Sequence, residues 1–187
     1  MKNKIIIGVI VIVAIIGLWL VSSYNGMVKA NLAVDTQWAQ VETQYQRRLD
    51  LIPNLVASVQ GIMTQEKDVF TAIANARQGY AGAKTVDEKA AAAGKVEGAL
   101  GRLLVITENY PQLASSETVK NLMTQLEGTE NRVSVERTRF NDTVSTFNSS
   151  IMTFPSNIVA GIFGFQKRSF FKADEIAAKA PAVKLNQ

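Results

Sequence analysis

Four carboxylates, Asp50, Glu66, Glu130 and Asp142, are the side chains of this 187-residue chain best suited to acid–base work, and they have few companions. There is no histidine, which removes the commonest general base and transition-metal ligand together. There is no cysteine either, so disulfides, thiolate nucleophiles and thiolate metal sites are excluded. A Ser-His-Asp arrangement cannot be assembled. What remains is a carboxylate pair or a Ser–Lys dyad, and the four carboxylates fall along helical stretches with no spacing that makes them converge. The residue types point away from an enzyme: no catalytic, cofactor-binding or metal-ligating residue, no cofactor and no small-molecule substrate are expected.

Three further charges stand out by position. Val34, Trp38, Val41, Tyr45, Ile52, Leu55, Val59 and Ile62 follow one another in steps of three and four, and Arg48 holds the vacant place on that line. A second line, Val119, Met123, Leu126, Val133, Phe140, Val144, Phe147, Ile151 and Phe154, is interrupted in the same way by Glu130 and Arg137. Heptad-type stripes bury one face of each helix against others in a left-handed supercoil. Charges on such a seam either snorkel at the bundle's edge or form an interior ionic network that fixes helix register more than it adds stability. In the second reading Arg48 and Glu130 lock the first helix against the third, and Arg137 belongs to the same network.

The elements that carry these residues begin with an apolar stretch. Positions 5–21 contain no charged or strongly polar residue. As a helix, the roughly 20 residues of 5–24 cover a hydrocarbon core of about 30 Å. The competing reading is a cleaved signal peptide, with Lys2 and Lys4 before the apolar run and Val21-Ser22-Ser23 as the cleavage site. The run is longer than a usual signal core, and Trp19 and Tyr24 sit at its far end as interfacial aromatics do, which favours a retained anchor. Lys2 and Lys4 on the short side, against Lys29 beyond the span, place the N-terminus in the cytoplasm and the body outside it. Removing Lys2 and Lys4 from the twenty basic residues leaves eighteen against sixteen acidic ones, a near-neutral body with no phosphate-binding face, so nucleic acid is not an expected partner.

Pro53 lies within the first stripe without changing its phase, which predicts a kink and not a stop. Val69, Phe70, Ile73 and Ala76 extend the helix to about 78, where Gly79 and Gly82 end it. On that reading the helix beyond the anchor is about 50 residues, or ~75 Å, and the segment 154–171 ends up away from its own membrane. A reversal near Pro53 would instead add one crossing to the bundle and return that segment to the lipid surface; the unbroken seam favours the first. Thr85 and Glu88 form a capping box for the next helix, in which Ala90, Gly94, Gly98 and Gly101 lie close to one face. Those glycines mark either close approach of another backbone or a locally soft helix. Tyr110-Pro111 closes that element, Ser115 or Ser116 caps a third long helix, and Pro155 ends it. The apolar, glycine-dotted stretch 156–165 contains Phe163 and Phe165 and precedes Lys167-Arg168 and Phe170-Phe171. It is too short to cross a bilayer and reads as a lid on the bundle, an interfacial membrane segment or an oligomer contact. A last short helix is expected over 174–180, before a frayed tail.

The predicted fold is therefore all-α: an N-terminal single transmembrane helix followed by an antiparallel, four-helix-type bundle of three long helices and a short one. The divisions are 1–4 cytoplasmic, 5–24 anchor, 25–154 bundle and 155–187 apolar loop, short helix and tail.

Tyr24-Asn25, Trp38, the run Arg47-Arg48-Leu49-Asp50-Leu51-Ile52-Pro53-Asn54-Leu55-Val56, Glu66 and Ala76-Arg77 stand in an order that resembles the LemA proteins. Tyr110-Pro111, Thr129-Glu130-Asn131-Arg132, Arg139-Phe140-Asn141, Phe147-Asn148 and Phe154-Pro155 continue the likeness over practically the whole chain. Phe140 and Phe147 stand where the family usually has tyrosine before asparagine, which keeps the packing and deletes a hydroxyl. The resemblance implies a bacterial single-pass membrane protein with a helical-bundle domain and no established enzymatic activity. It also implies association with the cell envelope, with membrane metalloprotease neighbourhoods, and with magnetosome formation in some bacteria. The functional expectation is a scaffold or organiser in the bacterial inner membrane, acting as a homo-oligomer through its seams and the Gly94 and Gly98 face. The alternative is a regulatory adaptor that binds a protease-type membrane protein or a stress-response component through 158–171.

Overall fold

The computed structural model describes residues 2–172; the short helix expected over 174–180 and the C-terminal tail lie outside them. The described chain is all-α, with helices α1 (Lys2–Gln60), α2 (Lys67–Gly82), α3 (Val86–Thr107), α4 (Pro111–Ser115), α5 (Glu117–Met152) and α6 (Ser156–Phe163). No strand occurs among the described residues. α1, α3 and α5 are long helices, and the expected first long helix is divided into α1 and the 16-residue α2.

α1 opens with the apolar stretch, and none of its most apolar 18-residue window is buried against the rest of the protein. A core helix of a soluble domain would be covered there, whereas Ile5, Ile10, Ile15 and Leu18 are all more than half exposed. By length and composition α1 is one helix able to cross a membrane. It then runs on through Pro53, whose exposed ring stands inside the helix.

It stops at Gln60, not near 78. Gly61 breaks the helix, Met63 folds back so that its N–H reaches the Val59 carbonyl (2.9 Å), and α2 starts afresh at Lys67. The apolar phase crosses this turn unchanged, with Glu66 standing at the heptad place between Ile62 and Val69, so periodicity alone could not reveal the break. The extra reversal also overturns the expectation for 154–171: the Phe163 ring lies 4.7 Å from that of Tyr24, at the end of the apolar stretch. Ile62 and Phe154, the last members of the two stripes, are exposed because both lie past their helix ends.

The chain divides into two compact units. In the first, residues 2–40 and 138–170, Met27 and Val34 of α1 are buried with Phe140, Val144, Phe147 and Ile151 of α5 and with Val159 and Ala160 of α6. Trp38 packs on Phe140 at 5.2 Å between ring centroids, the stripe positions doing what their spacing dictates. α6 ends at Gly164, whose φ of 73° is the left-handed turn that glycine adopts without a steric penalty. The Phe165 N–H bonds the Ala160 carbonyl at 3.0 Å across that turn, a Schellman closure. Asn148 then pins the returning strand of chain: its side chain accepts from the Arg168 N–H (2.8 Å) and donates to the Arg168 carbonyl (3.0 Å).

The second unit, residues 41–137 with 171–172, buries Val41, Tyr45, Ile52, Leu55 and Val59 of α1 with Val133 and Leu126 of α5. α2 and α3 pack against each other as a hairpin, α2 supplying Val69, Ile73, Ala76 and Tyr80, α3 supplying Ala92, Ala93, Val96, Leu100 and Leu103. α3 begins with the full capping box: the Glu88 N–H donates to Thr85 Oγ1 at 3.2 Å and the Glu88 carboxylate accepts from the Thr85 N–H at 3.1 Å. The backbone N–H groups of Lys84 and Thr85, both donating to it, hold the Glu88 carboxyl below its usual range. For α5 the Ser116 hydroxyl accepts from the Val119 N–H, at a loose 3.5 Å.

The box makes a definite demand. Thr85→Ala removes the N-cap acceptor and lowers unfolding stability by about 1 kcal/mol, measured by guanidinium unfolding. Because the Glu88 pKa is depressed on folding, its share of the cap is complete at neutral pH and is lost as pH falls through that lowered value.

Candidate functional site

Charged groups enter the second unit where the apolar stripes have gaps. Arg48 on α1 is 7% exposed, and Arg137 on α5 is largely covered. A guanidinium taken out of water must find carboxylates or lose several kcal/mol. Here Arg48 Nη1 donates to Glu130 on α5, with Glu97 on α3 at 3.9 Å. Arg137 Nη2 donates both to Glu97 and to the hydroxyl of Tyr45 on α1. The Tyr45 hydroxyl in turn donates to Glu97 at 3.1 Å. Glu97 thus joins three helices through one carboxylate.

Aromatic faces complete the shell around Arg137, which stacks 4.6 Å from the Phe171 ring centroid and 5.3 Å from that of Tyr45. Burial pushes the Arg137 pKa down to about 10, so it remains cationic at neutral pH. Tyr80 packs on Tyr45 at 5.1 Å, and burial, helped by Glu42, raises its phenol above the usual range. Lys89 bridges that edge, 2.8 Å from Glu42 and 4.9 Å from the Tyr80 ring. The pairing is incomplete: the Nε atoms of Arg48 and Arg137 are buried without a hydrogen-bond partner. That deficit fits a cluster that specifies an arrangement more than it adds stability.

A cavity of about 270 Å³ opens beside Arg48 and Glu130, walled by Leu55, Leu100, Leu104, Met123 and Leu126. Its walls are mostly hydrocarbon; of the charged groups at its edge, Arg48 and Glu130 pair with each other and Glu127 stands beside them.

The remaining candidates from the sequence are dispersed. Asp50 is exposed and accepts from Gln46 Nε2 at 2.8 Å on its own helix. Glu66 precedes α2 and accepts from the Tyr110 hydroxyl at 3.4 Å. Asp142 is exposed on α5, and among the described residues no three acidic side chains stand close enough to hold a metal ion. Gly94 is half-buried, whereas Gly98 and Gly101 face open space, with nothing within 4 Å of where a Cβ would stand. The close backbone approach expected there does not occur within this chain at those two positions. Phe163 and Phe165 both meet Tyr24, at 4.7 and 5.9 Å, and Phe165 meets Phe147 edge-on at 6.4 Å.

Glu97, Tyr45 and Phe171 were not singled out by the sequence reading as members of this cluster. A signal existed for the first: two arginines on apolar seams require more than one carboxylate, and Glu97 is the acidic residue of α3 outside its first turn. Nothing in the sequence marks Phe171 as the cover for Arg137.

The structure defines a class: an all-α bundle protein carrying one helix long and apolar enough to cross a membrane. Within that class the chain belongs to the LemA family, whose family model matches residues 37–185. It is also similar to two magnetosome proteins. It is 36% identical over 74 residues to Magnetosome protein MamQ 2 of Paramagnetospirillum magneticum, covering 40% of this chain and 27% of that protein. It is 37% identical over 73 residues to Magnetosome protein MamQ of Magnetospirillum gryphiswaldense, covering 39% of this chain and 27% of that protein. The match therefore spans about a quarter of the length of these relatives.

The two arginine pairs should differ measurably. A double-mutant cycle on Arg137 and Glu97 gives a coupling of about 1–3 kcal/mol, as for contacting groups in one network. The cycle on Arg48 and Glu130 gives under about 1 kcal/mol, because the Glu130 side chain is 40% exposed and solvent screens it. Denaturant unfolding of the single and double variants checks both.

Proposed function

We propose that this protein is a membrane-anchored, non-enzymatic organiser of the bacterial cell envelope that works by self-association through α3. Its N-terminus faces the cytoplasm and its bundle lies outside, with the span retained. Retention is supported by α1 running as unbroken helix through 21–23 and by the partial cover on Leu20 and Ser23 and full burial of Met27, which tie the end of the span to the first unit.

One observation carries the self-association. Ala91, Gly94, Gly98, Gly101 and Val105 recur in steps of three and four along α3, a second heptad line of small residues beside the buried one. Ala91, Gly98, Gly101 and Val105 are exposed, and Val105 is 64% so. Small residues at heptad spacing let another helix approach closely, since interaxial distance is set by the side chains at the contact. Lys95 and Arg102 flank the line at heptad spacing and supply charges that choose a partner's orientation. Similarity to proteins named for the magnetosome supports membrane association.

The adaptor reading, in which 158–171 binds a protease-type membrane protein, has less support because Phe163 and Phe165 already pack on Tyr24.

The chain has no native cysteine, so single-cysteine cross-linking in intact membranes is clean. Val105→Cys should yield a cross-linked dimer, and adding Gly98→Leu should abolish it. Monomer alone at every exposed α3 position would refute self-association on this face. Gly98→Ala in the dispersed protein raises stability by up to about 1 kcal/mol, because the helix gains propensity and the added methyl meets open space.

A further inference from the structure

The first unit leaves an apolar line uncovered. Phe154, Ile158 and Ile162 follow at intervals of four and are 76%, 53% and 69% exposed. Directly behind them on α6, Val159 and Ala160 are buried, so this eight-residue helix is apolar on its inner side and, Asn157 apart, on its outer side too. A water-facing helix would carry polar residues on the outer side. A contiguous exposed patch of large apolar residues marks a contact surface.

What covers it follows from where it stands. Phe163 closes on Tyr24 at 4.7 Å, and Tyr24 is the last residue of the stretch that fills a bilayer's hydrocarbon. Partial cover on α1 begins at Leu20, one turn inside that stretch. α6 therefore sits at the level where the anchor leaves lipid. At ~1.5 Å per residue it is only about 12 Å long, too short to enter the bilayer end-on and suited to lie along the surface. It is also held in place. Gly164 turns the chain back, Asn148 clasps Arg168 through its backbone, and the Arg168 guanidinium bonds Asp35. Lys29 and Lys167 are exposed on the same unit, which suits anionic headgroups.

We infer that 154–163 is a second membrane contact: a short interfacial segment, α6 and the turn before it, whose Phe154, Ile158 and Ile162 enter the headgroup–acyl boundary beside the emerging anchor. The bundle then meets the bilayer at two places, one crossing it and one lying in its surface. This does not depend on self-association through α3.

The test uses the full chain in vesicles of phosphatidylcholine and phosphatidylglycerol in equal parts, with one bimane-labelled cysteine at a time. Ile162→Cys and Phe154→Cys report the proposed contact, Ile16→Cys the span, and Thr124→Cys an exposed site on α5. Brominated acyl chains should quench the Ile162 and Phe154 labels well above the Thr124 level, and iodide should quench them several-fold less than Thr124. Strong iodide quenching at Ile162 and Phe154, while Ile16 remains quenched by brominated lipid, would overturn the inference with the anchor intact. Protection from both quenchers would overturn it too, because protein and not lipid would then cover the line. Loss of lipid quenching at Ile16 as well would remove the anchor on which the placement rests.

Discussion

Two guanidinium groups sit in the interior of the second unit, and the helices around them are arranged so that both can be paired. Arg137 reaches Glu97 on α3 and Tyr45 on α1, and Arg48 reaches Glu130 on α5. A slip of one helical turn would strand a charge away from water, at a penalty larger than most packing errors. Hydrophobic stripes alone tolerate such slips, because leucine, valine and isoleucine fill one another's places. The arginines thus impose a pairing requirement that the hydrocarbon alone does not.

The two units rest on different physics. In the first, aromatic packing dominates: Trp38 on Phe140, Phe147 on Phe165, and Tyr24 between Phe163 and Phe165. Its polar contacts, such as the Asn148 clasp, hold backbone and not the core. The second mixes an ionic centre with small residues on α3, where alanine and glycine keep helix surfaces thin. α1 and α5 supply residues to both units, so each of these helices changes its chemical character along its length.

Much of this was legible in the sequence. The stripes named most of the buried positions of α1 and α5, and Thr85 with Glu88 marked the start of α3 in atomic terms, because capping is a local interaction. The end of α1 was not legible, since the apolar phase runs straight through the turn at 61–66 and only Gly61 hints at a break. That misreading displaced the apolar segment from Tyr24, because one missed reversal inverts the direction of every later helix. Arg48, Glu130 and Arg137 were recognisable as intruders on a seam. Glu97 was harder to see, because a carboxylate at the flank of a stripe is ordinary until the charges facing it are known. Phe171 stacks on Arg137 from a stretch with no helix of its own, and no periodicity reports such a contact.

The clasp on Arg168 has a consequence for resistance to proteolysis. Lys167-Arg168 is a dibasic pair of the kind trypsin-like enzymes cut, and such enzymes bind their substrates as extended backbone, through its N–H and C=O groups. Asn148 already occupies both of those groups on Arg168, and Asp35 holds its guanidinium. A cut there requires the segment to be peeled off first, so a sequence that looks like an invitation to digestion is folded into a shape that withholds it.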